Sequence, residues 1–273
     1  MNMIDVFRKL ILKTLRKFPF PADCISGWKM YNYTKTNHGI EQDAFVEAFY
    51  GTGKPYVLGG PFKGMLYENR IYFGPVTPRW IGSYEKELIP IINGIHGFAP
   101  EQIIDIGAAE GYYSTGLALM FPSVKVISYE TNPLSIWQQL ALRRLNKTGN
   151  LLIRRYCSQK ELCRHGKFRN FILSDIEGCE LDLFTDEVVS CLGNSMVLIE
   201  LHQYKNHDIN SVASILEGRF KATHTVTYKE PTARSINDFE IVHPAGFDEP
   251  RLLSAMNEFR SQPQKWMHCV PMH

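Results

Sequence analysis

Apolar residues in this chain gather in short runs that close on small or charged residues, and these runs alternate with stretches of helical spacing. Ile103 to Ile106 reads as a strand, Gly107 to Gly111 as a turn, and Tyr112 onward as a helix. Val124 to Tyr129 reads as a second strand, preceded by a break at Pro122 and followed by Thr131-Asn132-Pro133, which opens a helix over Leu134 to Arg144. Leu151 to Cys157, Phe171 to Ser174 and Met196 to Ile199 supply three more strands, and His207 to Gly218 another helix. Strands alternating with helices predict an α/β fold with a doubly wound, mostly parallel sheet. Ala222 to Tyr228 and Phe239 to His243 are strand-like, Arg251 to Arg260 is helix-like, and His268 to His273 reads as a frayed tail.

Upstream of the first strand the pattern is less regular. Met3 to Lys17 has helical spacing with basic residues in the gaps, and Pro19 and Pro21 end it. Gln42 to Tyr50 predicts a helix, followed by short strands at Tyr56 to Leu58, Phe62 to Tyr67 and Ile71 to Phe73, the last two joined across residues 68–70. Ser83 is placed to cap a helix from Tyr84 to Asn93, with Glu85 in its positive first turn. The economical division is a basic amphipathic helix over 1–20, an α+β extension or cap over 21–80, the main domain over 81–250, and a C-terminal helix and tail over 251–273.

The turn after the first strand carries the chemistry. Gly107 lets the chain reverse, and Gly111, lacking a Cβ, lets a ligand approach the helix N-terminus. The loop reads Asp105-x-Gly-x-Ala-x-Gly, not the Gly-x-Gly-x-x-Gly that cradles a pyrophosphate, which argues against a dinucleotide. Glu130 ends the second strand nineteen residues beyond Gly111, where an acid binds both hydroxyls of an adenosine ribose. Asp175 and Glu200 likewise end strands, so the three acids are expected along the carboxyl edge of the sheet, where ligands bind.

The stretches Asp105-Ile-Gly-Ala-Ala-Glu-Gly-Tyr-Tyr-Ser, Ser-Asp175-Ile-Glu177-Gly-Cys-Glu180 and Ile-Glu200-Leu-His202, preceded by Gly82-Ser-Tyr-Glu85, resemble the FkbM-type methyltransferases over residues 80 to 245. That family belongs to the class I S-adenosylmethionine-dependent enzymes. The resemblance implies a seven-stranded Rossmann-like sheet with an antiparallel last strand, S-adenosylmethionine as cofactor, and a hydroxyl acceptor on a sugar, glycan or small metabolite. It implies cofactor contacts from Tyr84, Glu85, Asp105, Gly107, Ala108, Ala109, Gly111, Tyr112, Ser114, Glu130, Thr131, Asn132, Asp175 and Glu177. Ser158, after the third strand, either reaches the adenine or caps the next turn. Ala109 departs from the middle glycine of many class I turns, which is harmless unless the position needs a positive φ.

Composition narrows the function further. The 273 residues are 44% hydrophobic and 12% aromatic, enough for a sizeable core, and 30 basic against 28 acidic residues argue against a nucleic-acid binder. Residues 1–20 alone carry a net +4, so residues 1–18 either rest on an anionic membrane or pack on their own domain or on a partner subunit. No stretch is long enough to span a bilayer or serve as a signal peptide, so a soluble cytoplasmic protein with reduced thiols is expected, and the six cysteines lack zinc-site spacing. Asp175, Glu200 and His202 are the catalytic candidates: His202 as general base, oriented by the carboxylates, or all three around a divalent metal that the sequence does not assign. Glu180 is expected to face solvent. Two other function classes stay open: a cofactor-binding protein without turnover, and an NAD-linked reductase, whose Tyr-x-x-x-Lys pair occurs only at Tyr50 and Lys54, upstream of the turn.

Overall fold

The computed structural model of the chain describes residues 39–272 apart from 70, 73, 239, 240, 242, 243, 245 and 261–263. The basic helix expected over Met3 to Lys17 lies outside the described residues, as does the strand expected over Phe239 to His243 except for Ile241. After α1 (Gly39–Tyr50), α2 (Thr77–Ile81) and α3 (Ile89–Phe98), the chain alternates regularly. The order is β1 (Gln102–Ile106), α4 (Tyr112–Met120), β2 (Lys125–Tyr129), α5 (Pro133–Asn146), β3 (Leu151–Arg154), α6 (Gln159–His165) and β4 (Asn170–Ser174). It continues through α7 (Glu180–Leu183), α8 (Asp186–Cys191), β5 (Met196–Leu201), α9 (Ile209–Phe220), β6 (His224–Lys229), α10 (Glu249–Ala255) and β7 (Lys265–Pro271).

The sheet has seven strands in the order β3-β2-β1-β4-β5-β7-β6. β1 to β5 pair in parallel, and β7 runs antiparallel to both β5 and β6. This is the doubly wound class I methyltransferase topology. Side-chain alternation sorts each central strand between two cores: Ile103, Phe171, Leu173 and Leu198 enter one, and Ile104, Ile106, Ile172, Val197 and Ile199 the other. The first core also takes Phe45, Val57, Phe62, Met65, Tyr67 and Trp80, so the segment before β1 is built into the same apolar interior as α4 and α5.

Several expectations are corrected. The partner of β6 is Lys265–Pro271, from the supposed tail, and Trp266, Met267 and Cys269 are at most 1% exposed there. Neighbouring strands on both sides supply the ladder that the tail's sequence alone cannot show. Among the described residues from 56 to 72 there is no strand; Tyr56 forms an isolated antiparallel bridge to Leu66, so the first two expected strands meet there. Ser83 does not cap a helix, because its hydroxyl donates to the Pro78 carbonyl and Glu85 sits at φ 48 before a 3-10 turn, Lys86–Leu88. His165, the last residue of α6, hydrogen-bonds Tyr129 and Gln102 at 3.0 and 3.1 Å. Cys163 and Cys191, expected as thiols, form a disulfide with Cα atoms 5.3 Å apart, because α6 and α8 pack side by side.

Candidate active site

The turn from β1 to α4 forms the floor of the site. Gly107 sits at φ 79, and a Cβ there would lie 1.6 Å from the Asp175 carbonyl oxygen, so only glycine lets the ends of β1 and β4 come together. Ala109 is also left-handed, at φ 44, the condition under which its departure from glycine costs strain. That geometry turns its N–H toward Glu130, whose Oε2 accepts at 2.9 Å while Oε1 accepts from Asn132 N at 2.7 Å. With about four acceptor sites on its two oxygens, Glu130 keeps capacity for a ribose hydroxyl.

Above this floor a crevice opens, lined by Tyr84, Glu85, Asp105, Gly107, Ala108, Ala109, Tyr112 and Asp175 among the expected residues. Others serve elsewhere. Asn132 and Ser158 accept from Leu134 N and Glu161 N as helix N-caps, and Gly111 packs on Gln139 behind the loop. Thr131 is exposed, and Ser114 is fully buried with its hydroxyl on Asp105 Oδ2.

The crevice holds buried carboxyls that burial makes reluctant to ionise. Asp105 is 1% exposed, and its Oδ1 finds no hydrogen-bond partner among the described residues; the same is true of Asp175 Oδ1. Burial pushes the Asp105 carboxyl up to about 7 against the Ser114 hydrogen bond, with Asp175 and Glu130 adding repulsion. Burial likewise raises Asp175 and Glu200, and the Asp175 charge adds to the cost of ionising Glu200.

Glu200 is placed inside β5 rather than beyond it, 1% exposed. The Arg260 guanidinium neutralises it, with Nη1 donating to Glu200 Oε1 at 3.1 Å, Nε to Glu258 Oε2 at 2.6 Å, and Nη2 to Glu85 Oε1. Tyr113 donates to the second Glu85 oxygen at 2.6 Å. Glu85 is therefore a buried member of an ion network, not an acid matched to a helix dipole.

His202 lies at the rim, two residues after Glu200. Its Nδ1 donates to Glu180 Oε1 at 2.7 Å, and its Nε2, without a hydrogen-bond partner, stands 3.6 Å from Asp175 Oδ1 and 3.5 Å from Glu177 Oε2. Burial disfavours its protonation, yet the Glu180 bond and the charges of Asp175, Glu180 and Glu177 outweigh it and raise the imidazole above its ordinary pKa. Glu180, expected in solvent, is 0% exposed. One ligand atom each from Asp175, Glu200 and His202 lies within 4.8 Å of the others, a spacing that a divalent cation could bridge.

Sequence reasoning missed Arg79, Glu110, Tyr113 and Trp266, which also line the crevice, and Arg260, which sits beside it. Only Glu110, inside the glycine turn, and Tyr113, next to it, had a signal; the others arrive from distant segments. Arg79 is 5% exposed, ion-paired to Glu110 at 2.5 Å and stacked 4.0 Å over Tyr84.

No family model matches the sequence, and neither does any curated protein. Among solved structures, a Klebsiella pneumoniae protein named as an O-methyltransferase is 10% identical with a TM-score of 0.45, over 70% of this chain and 81% of that one. A Staphylococcus aureus protein named as a caffeoyl-CoA O-methyltransferase is 14% identical at 0.45, over 68% and 83%. A precorrin-6y C5,15-methyltransferase from Geobacter metallireducens is 11% identical at 0.40, over 62% and 78%. Likeness this distant says nothing of acceptor or mechanism. It is the strand order of the chain itself that establishes the class I methyltransferase fold.

Proposed function

We propose that this protein is an S-adenosylmethionine-dependent O-methyltransferase of the FkbM type, acting on a hydroxyl of a sugar, glycan or small metabolite. The observation that carries the cofactor is the buried Asp105 oxygen without a hydrogen-bond partner, on a residue that lines one crevice together with the buried carboxyl of Asp175. A ligand bearing an ammonium and a sulfonium supplies the missing positive charge, whereas the pyrophosphate of NAD would meet repulsion. Glu130 at the end of β2 would hold the ribose.

Methyl transfer to oxygen is an in-line displacement. The protein must align the acceptor with the methyl group and take the hydroxyl proton as the new C–O bond forms and the sulfonium's C–S bond breaks, leaving the neutral thioether. His202 Nε2 is the group at the rim with a free acceptor site, and Asp175 and Glu177 beside it stabilise the imidazolium that results. The acceptor class comes from the sequence resemblance. A membrane contact through residues 1–18 and a cytoplasmic location belong to the same proposal.

Calorimetry tests the cofactor. S-adenosylmethionine or its demethylated product should bind, and Glu130→Ala should weaken binding by ~1–3 kcal/mol. Tight binding of NAD with none of S-adenosylmethionine would overturn the reading, and cofactor binding without turnover across a hydroxyl-acceptor screen would leave a binding protein.

Where an acceptor is found, His202→Ala should lower turnover roughly 10²- to 10⁴-fold with cofactor affinity little changed. The Arg260 guanidinium already compensates Glu200, so a chelator should leave activity intact. Loss of activity on chelation, restored by a divalent cation, would move the role to a metal held by Asp175, Glu200 and His202.

A further inference from the structure

We propose that Glu180 is a positioning residue: its carboxylate accepts the Nδ1–H of His202 and so fixes the imidazole in the tautomer whose Nε2 lone pair faces the crevice. This rests on the reading of His202 as the base.

Three observations carry it. The contact is short, 2.7 Å from Nδ1 to Oε1, and joins a fully buried carboxylate at the start of α7 to a histidine just beyond β5, twenty-two residues away. The carboxylate is itself oriented, because Gly178 N donates to the same Oε1 at 3.2 Å. Gly178, at φ 101, together with Glu177, at φ 53, makes the tight reversal that brings this end of α7 beneath His202. A carboxylate only accepts, so the ring nitrogen facing it must carry hydrogen, and in the neutral ring the other nitrogen must then be the acceptor.

Glu180 has no other use in the proposed reaction, and a buried acid with its second oxygen unpartnered costs stability for packing alone. That cost is explained if the acid serves the imidazole. The groups facing the ring are Glu180 from α7, Asp175 and Glu177 from the turn after β4, and Glu200 of β5, which offers an oxygen within 4.8 Å of His202 and Asp175. Of these, Glu180 is the one within hydrogen-bond distance of a ring nitrogen.

Nitrogen-15 NMR of the histidine side chains in the full chain tests this without knowledge of the acceptor. His202, identified by its loss in His202→Gln, should be the Nδ1–H tautomer once deprotonated and should titrate above an ordinary histidine. Glu180→Ala should give mixed tautomers and a lower titration midpoint. Glu180→Gln retains an accepting oxygen without the charge and should keep the tautomer while lowering the midpoint. Binding of S-adenosylhomocysteine, measured on the same samples, verifies the fold, and the near-isosteric Gln variant serves if the Ala variant fails to fold. An unchanged midpoint in Glu180→Gln, or an unchanged tautomer and midpoint in Glu180→Ala, overturns the proposal.

On an acceptor that the protein methylates, Glu180→Ala should lower kcat roughly 10²- to 10⁴-fold with the acceptor KM little changed, and the acid limb of the pH profile should move down in Glu180→Gln. If the NMR signatures behave as stated while His202→Gln leaves turnover intact, it is the base assignment that fails and the positioning that stands.

Discussion

Asp105 shows how one residue can link fold to function. Its carboxylate ends β1 and is satisfied on one oxygen by Ser114, while the other oxygen faces the crevice unpaired. Its folded value of about 7 lies above the ordinary 3.8, so the empty protein holds a proton that the unfolded chain has released over that interval. Asp105 therefore stabilises the fold at low pH and ceases to do so as pH rises to 7. A cationic ligand prefers the ionised form and reverses the balance. S-adenosylmethionine affinity should rise by up to about tenfold per pH unit below 7 and level off above it, with proton release on binding at pH 6. Calorimetry in buffers of different ionisation enthalpy reads both; an affinity independent of pH from 5.5 to 8 would remove Asp105 from the cofactor's ammonium.

The C-terminal elements decide the shape of the site. Residues 256–260 follow α10 and bring Glu258 and Arg260 over the edge of the sheet, where Arg260 ties Glu85, upstream of β1, to Glu200 in β5. Arg234 extends the network to Glu87 at 2.9 Å and also to Glu258. Arg260→Ala would leave Glu85 and Glu200 buried without their cation and should cost about 3 kcal/mol in urea unfolding. Adding Glu85→Gln should recover part of that loss, because one uncompensated charge is removed. If the single variant unfolds like the parent, the network is peripheral to the fold. β7 completes the same side of the molecule by entering between β5 and β6, with Trp266 buried against the crevice.

At the scale of the whole molecule, the basic charge of residues 1–20 stands out, a net +4 in a chain of 30 basic and 28 acidic residues. No helix among the described residues is long and apolar enough to cross a membrane. Deleting residues 1–18 should leave cofactor affinity within about twofold and abolish any salt-sensitive flotation with anionic vesicles. Equal flotation of the two forms would remove the membrane role. The sequence by itself determined the alternating elements from β1 to β5, the glycine turn, and the acids at or near the strand ends, because these are set by local periodicity and by what a tight turn demands of Gly107. The same local logic failed where long-range pairing wins. Lys265–Pro271 has no strong signal, yet it lies between two strands that need its backbone groups; Ser83 lost its cap to a turn fixed by Arg79 and Pro78. Glu180 looked like a solvated acid until the turn through Glu177 and Gly178 brought it under His202, and Arg260 reached Glu85 across 175 residues. Residue types and spacing can nominate the acids of a site, but which of them is paired, protonated or left facing a ligand depends on burial and on neighbours that only the folded chain assembles.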